Sequence, residues 1–361
     1  SEVAWQPIDT SPTSDLPDAL AAAPDRLVGR SDEITRTHDA VHEGTFQMVV
    51  LAGEPGIGKT TIAAAVARRI HETGRQVLLG RCDRDFAVPY RPFIDAIDHW
   101  VLGIHELDRG DRLRDHAVLG RISDEVARVV EPPPATDSRQ RDQLALFHGV
   151  VRWLNEIRPV LVIDDIQWAS DATTLLIRHL LSTRGRFGLI ATLRTNEMHS
   201  LLRDGLAEAT SQGNVLNLEI PGLDHDAVRQ LGVEGDIDTL LQRTGGNPLF
   251  LDALAGGGDV TSIEAAVSRR VQAIDDSATE ILRLAAVVGM EIDMRLLGEA
   301  LDLAPAAILD ALEDGTRHGL VRELGPGRFE FSHGLVQEAF SAQLTHTRRQ
   351  VLHEQVGITL E

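Results

Sequence analysis

Short continuous apolar runs alternate along the first part of the chain with stretches whose apolar residues recur at helical spacing. A run starting near Phe46 and ending at Ala52, then Gln76–Gly80, Val160–Ile163 and Gly188–Leu193, show no polar alternation, the pattern of parallel strands covered on both faces, and Leu216–Ile220 reads as a last strand of the same core. Between them, Ser31 to about Glu43, Thr61–Ile70, Ile94–Ile104, about Leu113–Val130, Arg139–Ile157 and Asp171–Leu181 read as helices. Leu144, Phe147, Val151 and Leu154 are the expected apolar positions of the helix Arg139–Ile157. Arg81–Phe93 is irregular and Glu131–Ser138 is a proline-rich surface loop. Strands and helices in this order predict an α/β fold, a parallel sheet sandwiched by helices.

After Pro221-Gly222 the pattern becomes mainly helical. Asp226–Leu231, Ile237–Gln242 and Leu249–Ala255 form a small helical region, interrupted by Gly245-Gly246-Asn247-Pro248. Gly256-Gly257-Gly258 reads as a hinge. Beyond it, Ile263–Ile274, Ala278–Val288, Met294–Leu301 and Pro305–Glu313 are helical, and Gly319–Leu324 and Arg328–Phe331 pair about Gly325-Pro326-Gly327. Helices followed by a hairpin, with Gly334–Leu344 packed on it, describe a winged helix. The expected organisation is a linker over 1–24, an α/β core over 25–198, the end of the core and a helical lid over 199–258, a winged-helix domain over 259–345, and the start of a further helical region over 346–361.

Composition narrows the partners. The chain has 361 residues, 43% hydrophobic and 25% charged, and a formal net charge of −20. That size allows two or three cores. No apolar run approaches the ~20 residues that cross a bilayer, and the first residues lack the basic and apolar regions of a signal peptide. A single cysteine, Cys82, excludes an internal disulfide framework and suits a reducing cytoplasm. Nucleic-acid binding rests on neutralising phosphates, and the acidic balance disfavours it. The expected reading helix of the winged region, Ala306–Thr316, carries three acids and no base, so DNA is expected to be met only through domains outside this segment.

The chemistry begins at Gly53-Glu54-Pro55-Gly56-Ile57-Gly58-Lys59-Thr60, which fits G-x-x-x-x-G-K-[ST] at every fixed position. Phosphate oxygens need several backbone N–H groups at close range. Glycines let the chain curl into that nest, and the following helix, from Thr61, presents its N-terminus. Lys59 then reaches the β- and γ-phosphates, and the Thr60 hydroxyl joins a Mg²⁺ shell.

Val160-Leu161-Val162-Ile163 runs into Asp164-Asp165, acids delivered from a buried strand to a ligand crevice. In a phosphate-loop protein Asp164 holds Mg²⁺ and Asp165 polarises the attacking water; the plainer alternative is that Asp165 and Ser170 cap the next helix. Thr192 and Arg194 end a neighbouring strand at the same crevice, where a cation senses the γ-phosphate, or is an ordinary strand-end arginine.

Together these segments resemble the STAND class of P-loop ATPases, relatives of NB-ARC proteins, and in particular the ATPase module of large bacterial transcriptional regulators. LVGRSDEI (Leu27–Ile34) looks like that class's opening motif, which implies that Val28, Gly29 and Arg30 lie near the adenine. VLVIDDIQWAS resembles its acidic strand, ATLR its first sensor, and GGNPLF its lid motif, where Pro248 packs against adenine. FEFSHGLV resembles the region in which a histidine, here His333, contacts the β-phosphate of ADP; Gly334 stands where relatives have Asp. The resemblance implies an α/β P-loop NTPase fold with helical lid and winged helix. It implies a slow ATPase and switch that binds ATP or ADP with Mg²⁺, answers an inducer or protein partner, and forms nucleotide-dependent homo-oligomers. The competing readings are an oligomeric AAA-type motor and a DNA-binding module.

Overall fold

The structure is a computed structural model. It describes residues 15–21, 27–42, 44, 46–82, 88–183, 185–194, 197–233, 235–255, 271, 274–289, 291–301, 303–332, 334–342, 344, 345 and 347–350. The expected glycine hinge, nearly all of the helix Ile263–Ile274, His333 and residues 351–361 lie outside them. Contacts divide the chain into two compact units, Ser1–Gly53 with Lys59–Ile220, and Glu54–Gly58 with Pro221–Glu361.

The first unit is built on β1 (Met48–Ala52), β2 (Val77–Arg81), β3 (Val160–Asp164), β4 (Gly188–Leu193) and β5 (Val215–Glu219). They form one parallel sheet in the order β2-β3-β4-β1-β5. Every residue of β1, β3 and β4 is buried, because helices cover both faces. Val50, Leu78, Leu161, Ile163 and Leu189 share a single core with Phe93, Trp153 and Leu176. A parallel sheet covered by helices and entered through a glycine loop is the P-loop NTPase fold.

Several details depart from the sequence reading. β1 starts at Met48, two residues after Phe46, which instead donates its N–H to Ala40 O. The helix expected from Ile94 starts at Arg91, because Pro92 is tolerated in a first turn, where an N–H is not needed. Leu113–Val130 is not one helix but a string of short turns, with 3₁₀ geometry over Arg114–Arg121 and a separate helical turn, Asp124–Ala127, capped by Ser123 Oγ. The break lets Val118 fit over Gly149, where an added Cβ would sit 2.2 Å from Val118 Cγ1. On the helix Arg139–Ile157 the buried face is Leu146, Phe147, Gly149, Val150, Trp153 and Leu154, and Leu144 is 51% exposed. The expected linker ends in a helical turn, Asp18–Ala21, whose Leu20 is buried and whose Ala21 carbonyl accepts from Arg68.

In the second unit, the helices His225–Leu231, Ile237–Thr244 and Pro248–Ala255 come first. The helices Asp276–Val288, Met294–Leu301 and Pro305–Arg317 follow, then β7 (Val321–Gly325), β8 (Arg328–Phe331) and the helix Gly334–Ala342. A strand absent from the sequence reading, β6 (Glu291–Asp293), pairs antiparallel with β8, giving a three-stranded sheet of order β6-β8-β7. Phe329 and Phe331 of β8 pack with Leu282, Ile308, Leu312 and Phe340.

Candidate functional site

The glycine loop leaves β1 at Gly53 and enters the helix Lys59–Glu72. Gly56 and Gly58 have φ of +83° and +101°, a region closed to most side chains, so the curl requires glycine there. Residues 54–58 belong to the second unit, where Asn247 Nδ2 donates to Pro55 O at 3.1 Å. Pro248 opens the helix Pro248–Ala255, and Asn247 Oδ1 accepts the N–H of Leu249. Thr61 continues the helix that Lys59 begins.

Lys59 is the single lysine of the chain. It is 6% exposed and its Nζ donates to Gly53 O at 2.9 Å. Burial, aided by the Arg194 charge, lowers its pKa to about 8 against the opposing pull of Asp165, Asp164 and Glu197. A buried ammonium is costly unless its donors find acceptors, and Gly53 O is one of them.

Asp164 ends β3 and is the hub of the site. Its Oδ1 accepts from Thr60 Oγ1 at 2.8 Å and from Thr192 Oγ1 at 2.6 Å. The Thr192 hydroxyl, fully buried on β4, also accepts the N–H of Asp165 at 2.8 Å. One hydroxyl therefore ties both acids to the neighbouring strand. Asp165 turns the chain with φ +55°, a left-handed conformation that Asp tolerates, and does not cap the turn that follows. Ser170 does cap, accepting the N–H of Thr173. Burial raises the pKa of Asp165, opposed by the hydrogen bond from Gln167 Nε2 at 2.7 Å and by Arg194.

Arg194 is held on three sides. Its Nε lies 3.4 Å from Asp165 Oδ1, its Nη1 donates to Glu197 Oε1 at 3.1 Å, and its guanidinium sits 4.6 Å above the Trp168 ring. Gln167 Oε1 accepts the Arg194 backbone N–H at 3.0 Å. Thus the structure brings Lys59, Thr60, Asp164, Asp165, Thr192 and Arg194 into one edge of the first unit. Val28 and Gly29 lead to the helix Ser31–His42, and Arg30 is buried with its Nη1 3.2 Å from Glu33. The sequence reading gave no role to Gln167, Trp168 or Glu197. A hint lay in the Arg194-to-Glu197 spacing, which lets opposite charges meet.

A hydroxyl and a carboxylate in contact, Thr60 and Asp164, are hard oxygen donors of the kind that hold Mg²⁺ together with phosphate oxygens and water. The residues present fit that ion.

Residues 26–192 match the family described as "AAA ATPase domain". An uncharacterized protein of Rhizobium meliloti is 22% identical over 91% of this chain, which spans 36% of that protein's length. Heat shock protein 104 of Schizosaccharomyces pombe is 45% identical over a segment covering 16% of this chain and 6% of its own. Among solved structures, a STAND protein with a tetratricopeptide repeat sensor from Pyrococcus horikoshii is similar at 17% identity, covering 94% of this chain and 46% of that chain, with a TM-score of 0.44. The match over residues 26–192 agrees with the P-loop ATPase class read from the motifs.

Proposed function

We propose that this chain is a nucleotide-dependent switch of the STAND kind, binding ATP or ADP with Mg²⁺ and hydrolysing ATP slowly. The observation that carries it is the Thr60–Asp164–Thr192 network placed beside a buried Lys59. Glycine-loop N–H groups and Lys59 bind the phosphates, and Thr60 and Asp164 hold the ion, which supplies charge neutralisation at the phosphates. Asp165, kept in an acceptor state by Gln167, takes the proton of the attacking water as ATP and water become ADP and phosphate. Arg194 meets the charge of the terminal phosphate. Val28, Gly29, Arg30 and Pro248 serve the adenine end.

In this reading the helices from His225 to Ala255 are the lid, and the helices and three strands from Asp276 to Ala342 are a winged helix. His333 contributes a contact to bound diphosphate. The ligand binds the resting and active conformations unequally, as any switch requires. The regulatory setting is that of a bacterial signal-responsive transcriptional regulator, with an inducer or protein partner promoting exchange and homo-oligomer formation. Calorimetry of the full chain with Mg-ADP and Mg-ATP tests the site. Lys59→Ala is expected to weaken both by about 100-fold or more, in keeping with loss of a buried charge-assisted contact; unchanged affinity would remove the assignment.

A further inference from the structure

The surroundings of Arg194 carry more than a sensor role. Trp168 Nε1 donates to Glu197 Oε2 at 3.1 Å while Arg194 Nη1 donates to Glu197 Oε1 at 3.1 Å, so the carboxylate is fixed at both oxygens. The side chain of Glu197 is 12% exposed and that of Arg194 26%. The same indole supports the guanidinium from below at 4.6 Å. One cation thus faces two carboxylates, Glu197 and Asp165, and a ring face. It is neutralised where it stands.

A phosphate oxygen that reaches this guanidinium competes with Glu197 and Asp165 for its charge and draws it away from them. A nucleoside triphosphate offers a third phosphate for the exchange. A diphosphate does not, so Arg194 stays where it is. Building on the nucleotide reading above, we propose that Trp168 and Glu197 form a seat for Arg194. Glu197 then acts as a positioning residue that sets the discrimination between triphosphate and diphosphate, competing with the terminal phosphate for the guanidinium.

The seat makes the affinity for triphosphate lower than the bare contacts would give, and leaves diphosphate affinity untouched. Resting occupancy by diphosphate follows from Glu197 rather than from any added contact to ADP. Glu197→Gln keeps an acceptor for the Trp168 N–H and removes the competing charge. In the full chain it is expected to tighten the Mg complex of β,γ-imido-ATP about fivefold, the scale of a partly exposed ion pair, with the Mg-ADP Kd changing by less than about twofold.

A second arm needs no change at Glu197. In the unaltered protein, the imido analogue draws Arg194 off the ring and changes tryptophan emission, ADP does not, and the difference disappears in Trp168→Phe. Equal shifts in both Kd values, an unchanged analogue Kd, or emission changes that are the same for both nucleotides would overturn the seat. Lys59→Ala, run alongside, separates the two ideas. If it abolishes binding while Glu197→Gln leaves the ratio unaltered, the seat alone fails; if it leaves binding intact, the underlying nucleotide reading fails.

Discussion

The two sheets of this protein use their strands in opposite ways. In the first unit every residue of β3 and β4 is buried, and the polar groups stand at the ends, where Asp164, Asp165, Thr192 and Arg194 meet. In the second unit β8 alternates exposed, buried, half-buried and buried, with Phe329 and Phe331 in the core and Glu330 paired with Arg322 on the other face. A parallel sheet covered twice has no face left for chemistry, so chemistry collects at one edge. An antiparallel sheet covered once spends its inward residues on packing. Damage to the first is therefore expected to cost turnover, and damage to the second, stability.

The largest effect belongs to the packing sheet. Phe331 is fully buried against Phe340, ring centroids 5.9 Å apart. Phe331→Ala is expected to lower unfolding free energy of the second unit by about 3–5 kcal/mol in denaturant titrations; a loss below about 1 kcal/mol would break the comparison. Next, Asp165→Asn is expected to slow steady-state ATP hydrolysis about 100-fold, or about 2.7 kcal/mol. Melting temperature should hold or rise, since burial disfavours the Asp165 charge. Turnover near that of the unaltered protein would assign the proton elsewhere.

Thr192→Val keeps the shape of the strand but removes the hydroxyl that joins the two acids. It should destabilise by about 2 kcal/mol, leaving the Asp165 N–H without its acceptor, and Thr192→Ser should restore most of it.

The smallest effect is linked to pH. His116 is fully buried with its ring edge-on to Trp100, and burial lowers its pKa below 6.5, against the pull of Glu156. Between its folded value and 6.5 the unfolded chain holds the extra proton, so stability present above pH 6.5 is lost as pH falls through that window. The slope from this one group is at most about 1.4 kcal/mol per pH unit. Urea titrations of His116→Leu should show a flatter dependence there; the same slope would shift the cause to another group.

Much of the first unit was legible because its signals are local. Ser138 before the apolar period and the left-handed Arg158 after it bound the helix Arg139–Ile157 where the sequence put it. The acids after Ile163 fall at a strand end because the apolar run stops there. What escaped depends on contacts distant in sequence. Leu113–Val130 has helical spacing, and it is the close approach of Val118 to Gly149 that favours tight turns. β6 has only three residues, too few to display a period. Leu20 looked like part of a linker because one buried leucine makes no pattern. Glu197 gains its meaning only from Trp168, twenty-nine residues earlier, once β3 and β4 lie side by side.

The central claim is that a nucleotide's phosphates sit on Lys59, and the composition offers a direct test. Because Lys59 is the single lysine, protein grown on ¹³Cε-lysine gives one lysine signal in an NMR spectrum. Its titration midpoint in the free protein is expected at about 8. Saturating Mg-ADP should shift the signal and move the midpoint upward, since an adjacent anion favours the ammonium. A signal and midpoint unmoved by nucleotide would contradict the account.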